Sequence, residues 1–173
     1  MKTKIAFFSI LIFAYVAAFG QTAREQAKEL DRPKDSGISD YDAFKNSSFK
    51  LLGELQKTDG NYETIKKDVA GYESGDRAVN IDNVKGDINR LKALKKNVES
   101  MDDRVKKLSA ESEDLMANVS KVKPVTKVKA ATSNTKKAVK AVDVSKAYMK
   151  EITTQVNSDL ENLSGKLAEL GGE

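Results

Sequence analysis

Apolar residues recur every three or four positions through almost all of the chain after residue 38, and this pattern leaves few folds open. Three long runs carry it. In the first, the inward a and d positions are Tyr41, Phe44, Ser48, Leu51, Leu55, Thr58, Tyr62, Ile65, Val69 and Tyr72, eight of ten apolar or aromatic. In the second they are Val84, Asp87, Leu91, Leu94, Val98, Met101, Val105, Leu108, Ser112, Leu115, Val119 and Val122, ten of twelve. The third runs Val125, Val128, Thr132, Thr135, Val139, Val142, Lys146, Met149, Thr153, Val156, Leu160, Leu163, Leu167 and Leu170, ten of fourteen. A 3.5-residue period held over this many heptads specifies helices packed side by side along their length.

The breaks fall between the runs. Ser39 with Asp42 offers an N-cap and an acidic third position just after the Pro33 to Gly37 interruption. Glu73-Ser74-Gly75-Asp76 separates the first run from the second, and Lys123-Pro124 separates the second from the third. Gly171-Gly172 closes the last helix. Asp59-Gly60-Asn61 reads as a turn inside the first run, although the heptad register continues across it; a bent or locally broken helix is expected there, with a hairpin as the alternative. The expected fold is all-α: an elongated antiparallel three-helix bundle with helices at about 39–73, 79–122 and 125–170. Folding about Gly75 places Leu51 by Val105 and Ile65 by Leu91. Folding about Lys123-Pro124 places Val98 by Met149 and Leu91 by Val156. Ser112 and Thr135 then share a layer that Phe44 is sized to fill.

The first twenty residues stand apart. Lys2 and Lys4 precede an apolar stretch from Ile5 to Phe19, and the small residues Ala17, Ala18 and Gly20 precede Gln21. This is the order of a secretory signal peptide cut near Gly20, which implies a secreted or periplasmic product. Some fifteen helical residues reach roughly 24 Å, short of the ~30 Å hydrocarbon core, so a retained spanning helix fits less well. The domain reading is a signal peptide at 1–20, a flexible segment at 21–38 and the helical domain at 39–173. The chain has no cysteine, so packing or assembly with other copies must supply the stability that disulfides give many exported proteins.

Charge is unevenly placed. Loss of Lys2 and Lys4 would lower the formal +4 to +2, yet Lys121 to Lys150 holds nine lysines against one acid, Asp143. Residues 151 to 173 hold five acids and one lysine. The candidate anion-binding residues are Lys121, Lys123, Lys127, Lys129, Lys136, Lys137 and Lys140, with the first four grouped about Pro124. By the fold arithmetic the first helix begins opposite residue 117, so this tip is expected to project beyond its cover. An anionic surface or an acidic protein suits such a patch. Nucleic acid suits it poorly, because the segment offers only Tyr148 for stacking and no arginine.

Catalysis has little to draw on. With no histidine or cysteine, the commonest general base, metal ligand and nucleophile are missing. The carboxylates Asp102, Asp103, Glu111, Glu113 and Asp114 fall beside basic residues on outward positions. Asp31, Asp35, Asp40 and Asp42 miss the EF-hand spacing, and no glycine-rich phosphate loop occurs. No catalytic residue, metal site or cofactor is expected. Lys146 at a core position, with Thr132, Thr135 and Thr153, suggests a loosely packed stretch open to a ligand or another chain. Asn46, Asn118 and Asn162 head N-glycosylation triplets, which matter only if export passes through an endoplasmic reticulum.

An exported leader, a basic balance and a helical hairpin with a positive tip together resemble the periplasmic Skp/OmpH holdase chaperones. The resemblance is architectural and covers the hairpin; it implies a grip on unfolded clients near the tip. Those chaperones have a β-stranded trimeric body, and no strand-like run lies between Gln21 and Ser39. The sequence thus points to a non-enzymatic structural or interaction protein. An amphipathic lipid-binding bundle and a holdase are the alternatives.

Overall fold

The computed structural model describes residues 21–172, so the expected signal peptide lies outside the described residues. Five α-helices occur in order: α1 Ala23–Glu29, α2 Ser39–Ser74, α3 Ile81–Glu99, α4 Asp102–Asn118 and α5 Val128–Glu169. Two single 3-10 turns, Val119–Lys121 and Val125–Lys127, join α4 to α5. There is no strand among the described residues, and none of their helices is long and apolar enough to cross a membrane. The class is all-α.

Local chemistry explains most of the boundaries. Asn80 caps α3 by accepting from the Asn83 amide at 2.8 Å. Gly75 ends α2 in the left-handed conformation, φ +80°, which glycine adopts without a Cβ penalty. Two expectations need correction. Ser39 is the first helical residue, not the cap; the cap position is Ile38, which makes no side-chain bond. Asp42 does reach back, but it accepts from the Ser36 and Gly37 amides, at 2.7 and 2.8 Å. The Asp59-Gly60-Asn61 signal does not interrupt the helix, for α2 runs unbroken through 36 residues, about 54 Å. Instead the second run divides, at Ser100 and Met101, where the Met101 amide bonds back three residues to Val98 O.

The first two runs bury the residues their period selects. Nine of the ten a and d residues of α2 are buried, Val69 being partly covered. From Val84 to Ser112 every a and d residue is buried, straight across the α3–α4 break. Tyr41 Oη donates to Leu115 O at 3.0 Å, and Asn97 Nδ2 to Thr58 Oγ1 at 3.3 Å. Both pairs add to about 156, the register that antiparallel folding near Gly75 requires. Tyr148 to Asp59 and Tyr62 to Asp159 have sequence offsets of 89 and 97, so α2 and α5 run parallel. Phe44, Ser112 and Thr135 are all buried.

The third run is only half as expected. Thr135, Val142, Met149, Val156 and Leu163 are buried, but Lys146 is exposed and Thr132, Val139 and Thr153 are partly covered. The companion column is one residue earlier: Ala131, Ala138, Ser145 and Ile152. A third column, Asn134, Ala141 and Tyr148, is also buried. The cause is a further packing partner. Residues 21–38 are not a loose lead-in: α1 lies against α5 with Ala23 and Ala27 buried, and Asn134 Nδ2 donates to Lys34 O at 2.7 Å. Thr22 and Glu25 close a capping box at the start of α1.

Buried charge fastens this arrangement. Asp59, mid-way along α2, accepts from Tyr148 Oη of α5 at 2.8 Å and pairs with Arg24 of α1 at 2.5 Å. Arg24 also reaches Glu63 at 3.0 Å. Fully buried Asp87 of α3 accepts from Tyr72 Oη near the end of α2 at 2.7 Å and pairs with Arg77 and Arg90. Burial, together with these carboxylate acceptors, pushes the Tyr62 and Tyr148 phenols well above the ordinary range and Tyr72 up to about 12.

Three outcomes follow from this packing. Leu108→Asp should cost several kcal/mol, because it leaves a carboxylate in the seam, whereas exposed Lys107→Gln should stay within about 0.5 kcal/mol; equal urea midpoints would refute the register. A Cβ at Gly60 meets nothing within 4 Å, so Gly60→Ala should stabilise the helix by about 0.5–1 kcal/mol, read in the same denaturation. Folded phenols stay protonated where unfolded ones ionise, near pH 10, so stability is full below that pH and falls as pH rises through about 12. Tyrosinate absorbance of the folded chain should lag behind that of the urea-unfolded chain; superimposed curves would show the phenols are not held.

Candidate functional site: the lysine surface of the α4–α5 tip and α5

Burial of three columns on α5 leaves one outward side, and that is where its lysines lie. Lys129, Ser133, Lys136, Lys140, Asp143, Ala147 and Lys150 are all on this side at alternating steps of four and three, and its lysines are exposed. Residues at this spacing share one helical face. Four lysines thus form a stripe interrupted by one carboxylate. Lys137 and Lys146, also exposed, flank it on opposite sides. No ion pair engages a lysine between Lys121 and Lys150 among the described residues.

At the tip the chain turns through Lys123 and Pro124, joined by a cis peptide bond. Lys121 and Lys123 are exposed, and Lys121 Nζ donates to Asn118 Oδ1 at 2.8 Å. Lys127 departs from expectation: it is half-buried, and its Nζ donates to Gly37 O at 3.0 Å. Gly37 sits at φ +76°, a left-handed conformation that glycine adopts without a Cβ penalty. The tip is therefore not free of cover. Residues 30–38 brace it, and beneath it Tyr41, Val122 and Ala131 form a second apolar cluster with Ile38, Leu115, Val119 and Val128 packed around it.

Lys121, Lys123 and Lys129 are exposed in and just after the α4–α5 turn, Lys129, Lys136 and Lys140 share one side of α5, Lys137 lies to the side of that line, and Lys127 is diverted into bracing. The structure adds one residue that periodicity did not mark. Lys34 is exposed, and its carbonyl is held by Asn134 of α5, which fixes its backbone against that helix. Lys150 extends the stripe by about three helical turns. Acids also arrive with the brace, but two of them are occupied. Asp35 pairs with buried Lys45, and Asp42 accepts from Ser36 and Gly37. Burial alone would raise the Asp42 carboxyl; the amide and hydroxyl donors outweigh it and hold the group below its usual range. Asp31 and Asp40 stay exposed near this end.

Two open grooves lie elsewhere. One, of about 420 Å³, runs between α2 and α3 and is lined by Thr58, Asn61, Thr64, Arg90, Leu94 and Asn97 among others. The other, of about 290 Å³, faces the α3–α4 break and includes Val98, Asp102, Lys146, Met149, Lys150 and Thr153. This second groove occupies the stretch expected to pack loosely; Lys146 lines its wall and does not enter the core. Among the described residues no group of three or more acidic, histidine or cysteine side chains could hold a metal ion. No family model, curated protein or solved structure matches the chain.

Proposed function

We propose that this protein is a non-enzymatic structural or interaction protein of the cell envelope or extracellular space, and that it engages an anionic partner through the α4–α5 tip and the lysine stripe of α5. The observation that carries the reading is the concentration of exposed lysines, outside any ion pair among the described residues, on the one side of α5 that the fold leaves open. Elsewhere acids are interspersed with the bases, and some of them pair, as in Arg90 with Asp68, Arg104 with Glu54, and Lys106 with Asp102. Like charges held together on a rigid helix repel, and an anionic ligand relieves that repulsion. A helix of 42 residues, about 63 Å, gives the stripe the length to meet an extended partner.

A carrier that spread its helices on lipid fits less well. Opening α2 from α5 would break the Arg24–Asp59–Tyr148 ties and strand a carboxylate in an apolar setting. A holdase of the kind the hairpin resembles would need a client-sized space, and the tip is closed from beneath by Tyr41 and Val122.

Retention on a heparin column separates local recognition from net charge. Lys129→Gln, Lys136→Gln and Lys140→Gln combined should lower the eluting salt concentration sharply. The same number of changes at Lys57, Lys67 and Lys92, away from the stripe, should leave it near that of the parent. If the two triple variants elute together, the stripe is only a solvated helix face and the reading fails.

A further inference from the structure

The most exposed large apolar residue among those described is Val125, 78% accessible, at the turn of the α4–α5 tip. Pro124 and Thr126 on either side are exposed as well. Lys121, Lys123 and Lys129, all exposed, lie within four residues of it along the chain, and the half-buried Lys127 is tethered inward to Gly37 O. The backbone behind Val125 is held firmly. The Lys127 amide donates to Pro124 O at 2.9 Å, and the Val122 amide to Val119 O at 3.3 Å. Val122 points into the Tyr41 cluster while Val125, three residues on, points out. An exposed apolar side chain at a turn whose neighbours in the chain are exposed lysines matches a surface that is anionic outside and apolar a few ångströms below.

We infer that the α4–α5 tip docks end-on to the surface of an anionic phospholipid bilayer, with Val125 entering the interface and Lys121, Lys123 and Lys129 meeting headgroup phosphates. This rests on the anionic-partner reading above and narrows the partner to lipid. A polyanion or an acidic protein would satisfy the lysines equally but gives no role to Val125. A bilayer satisfies both, because an amphipathic surface gains from apolar insertion and from attraction to anionic headgroups together. The remaining lysines of the stripe rise away from the membrane. Lys150 stands 21 residues beyond Lys129, about 32 Å along the axis and several Debye lengths from the headgroups. End-on docking therefore makes the tip lysines decisive and Lys150 immaterial to vesicle binding.

The chain lacks tryptophan, so Val125→Trp introduces a single fluorescent reporter at the tip. Val79→Trp does the same at the other exposed valine, 41% accessible, in the α2–α3 connection at the far end of the rod. With vesicles of mixed phosphatidylglycerol and phosphatidylcholine, the indole emission of the Val125→Trp variant should shift to shorter wavelength and be quenched by brominated acyl chains. The Val79→Trp variant should show neither effect. Phosphatidylcholine alone should leave both unchanged. Val125→Asn should weaken anionic-vesicle binding about ten-fold with heparin retention unaltered, and Lys150→Gln should bind vesicles as the parent does. Since Val125 is exposed, circular dichroism should show each variant folded. Three results would overturn the inference. Vesicle binding with unshifted emission from the tip reporter means the protein lies on its side along the stripe. Lysine-dependent heparin retention without vesicle binding means the anionic partner is not lipid, and the wider reading survives. Loss of both means neither holds.

Discussion

Every other feature of this molecule depends on how completely α5 is covered. A helix in a simple two-partner seam buries two columns of side chains; α5 buries three, because α2, the α3–α4 pair and the N-terminal α1 segment all lie against it. Its inward residues are correspondingly small over the first half, with Ala131, Ala138, Ala141 and Ser145 letting neighbouring backbones approach. The larger Tyr148, Met149 and Ile152 follow where the space widens. Three-sided burial also decides the surface. Charged residues on α5 have only one side left to occupy, and that forces the lysines into a line.

Polar groups buried between the helices then fix which partner sits where. Asp59 is bonded from α1 and α5 at once, and Asp87 from the end of α2, the α2–α3 connection and α3. Buried ion pairs of this kind add little net stability, since desolvation offsets the attraction. Their effect is on alternatives: a slipped register would leave each carboxylate without donors in an apolar setting, which is costly. Lys45 shows the same logic at the tip. Its side chain is buried along its length and its ammonium meets Asp35 of the brace, so the segment before α2 is held by charge as well as by apolar contact.

Much of this is legible in the residues, and the failures have physical causes. Large apolar side chains mark their own burial, so Leu51, Leu55, Leu91, Val98 and Leu108 fall where the heptads put them. On α5 the inward Ala138 and Ser145 carry too little hydrophobic signal to outweigh Val139 and the lysine beside them, so the period places the companion column one residue late. Asp59-Gly60-Asn61 has the composition of a turn, but Asp59 is held in the helix by donors that sequence spacing cannot reveal. The α1 helix is only seven residues long, too short for a period to show; its sequence mark is the Thr22–Glu25 capping pattern. The lysine surface can be read because charge bias survives any rotation of a helix. The shared edge of Lys129, Lys136 and Lys150 follows from their spacing of seven and fourteen residues, whereas the diversion of Lys127 becomes visible only with the third packing partner in place.

Acetylation footprinting of individual lysines tests the central claim that three-sided burial of α5 creates the recognition surface. In the free protein Lys129, Lys136, Lys137, Lys140 and Lys150 should acetylate at the rate of an open-chain lysine, while Lys45 should be strongly protected. With heparin present, protection should spread over Lys121, Lys123, Lys129, Lys136 and Lys140, and Lys57, Lys67 and Lys92 should stay unchanged. Rapid acetylation of Lys45 in the folded chain, or protection spread evenly over all lysines, would contradict the account.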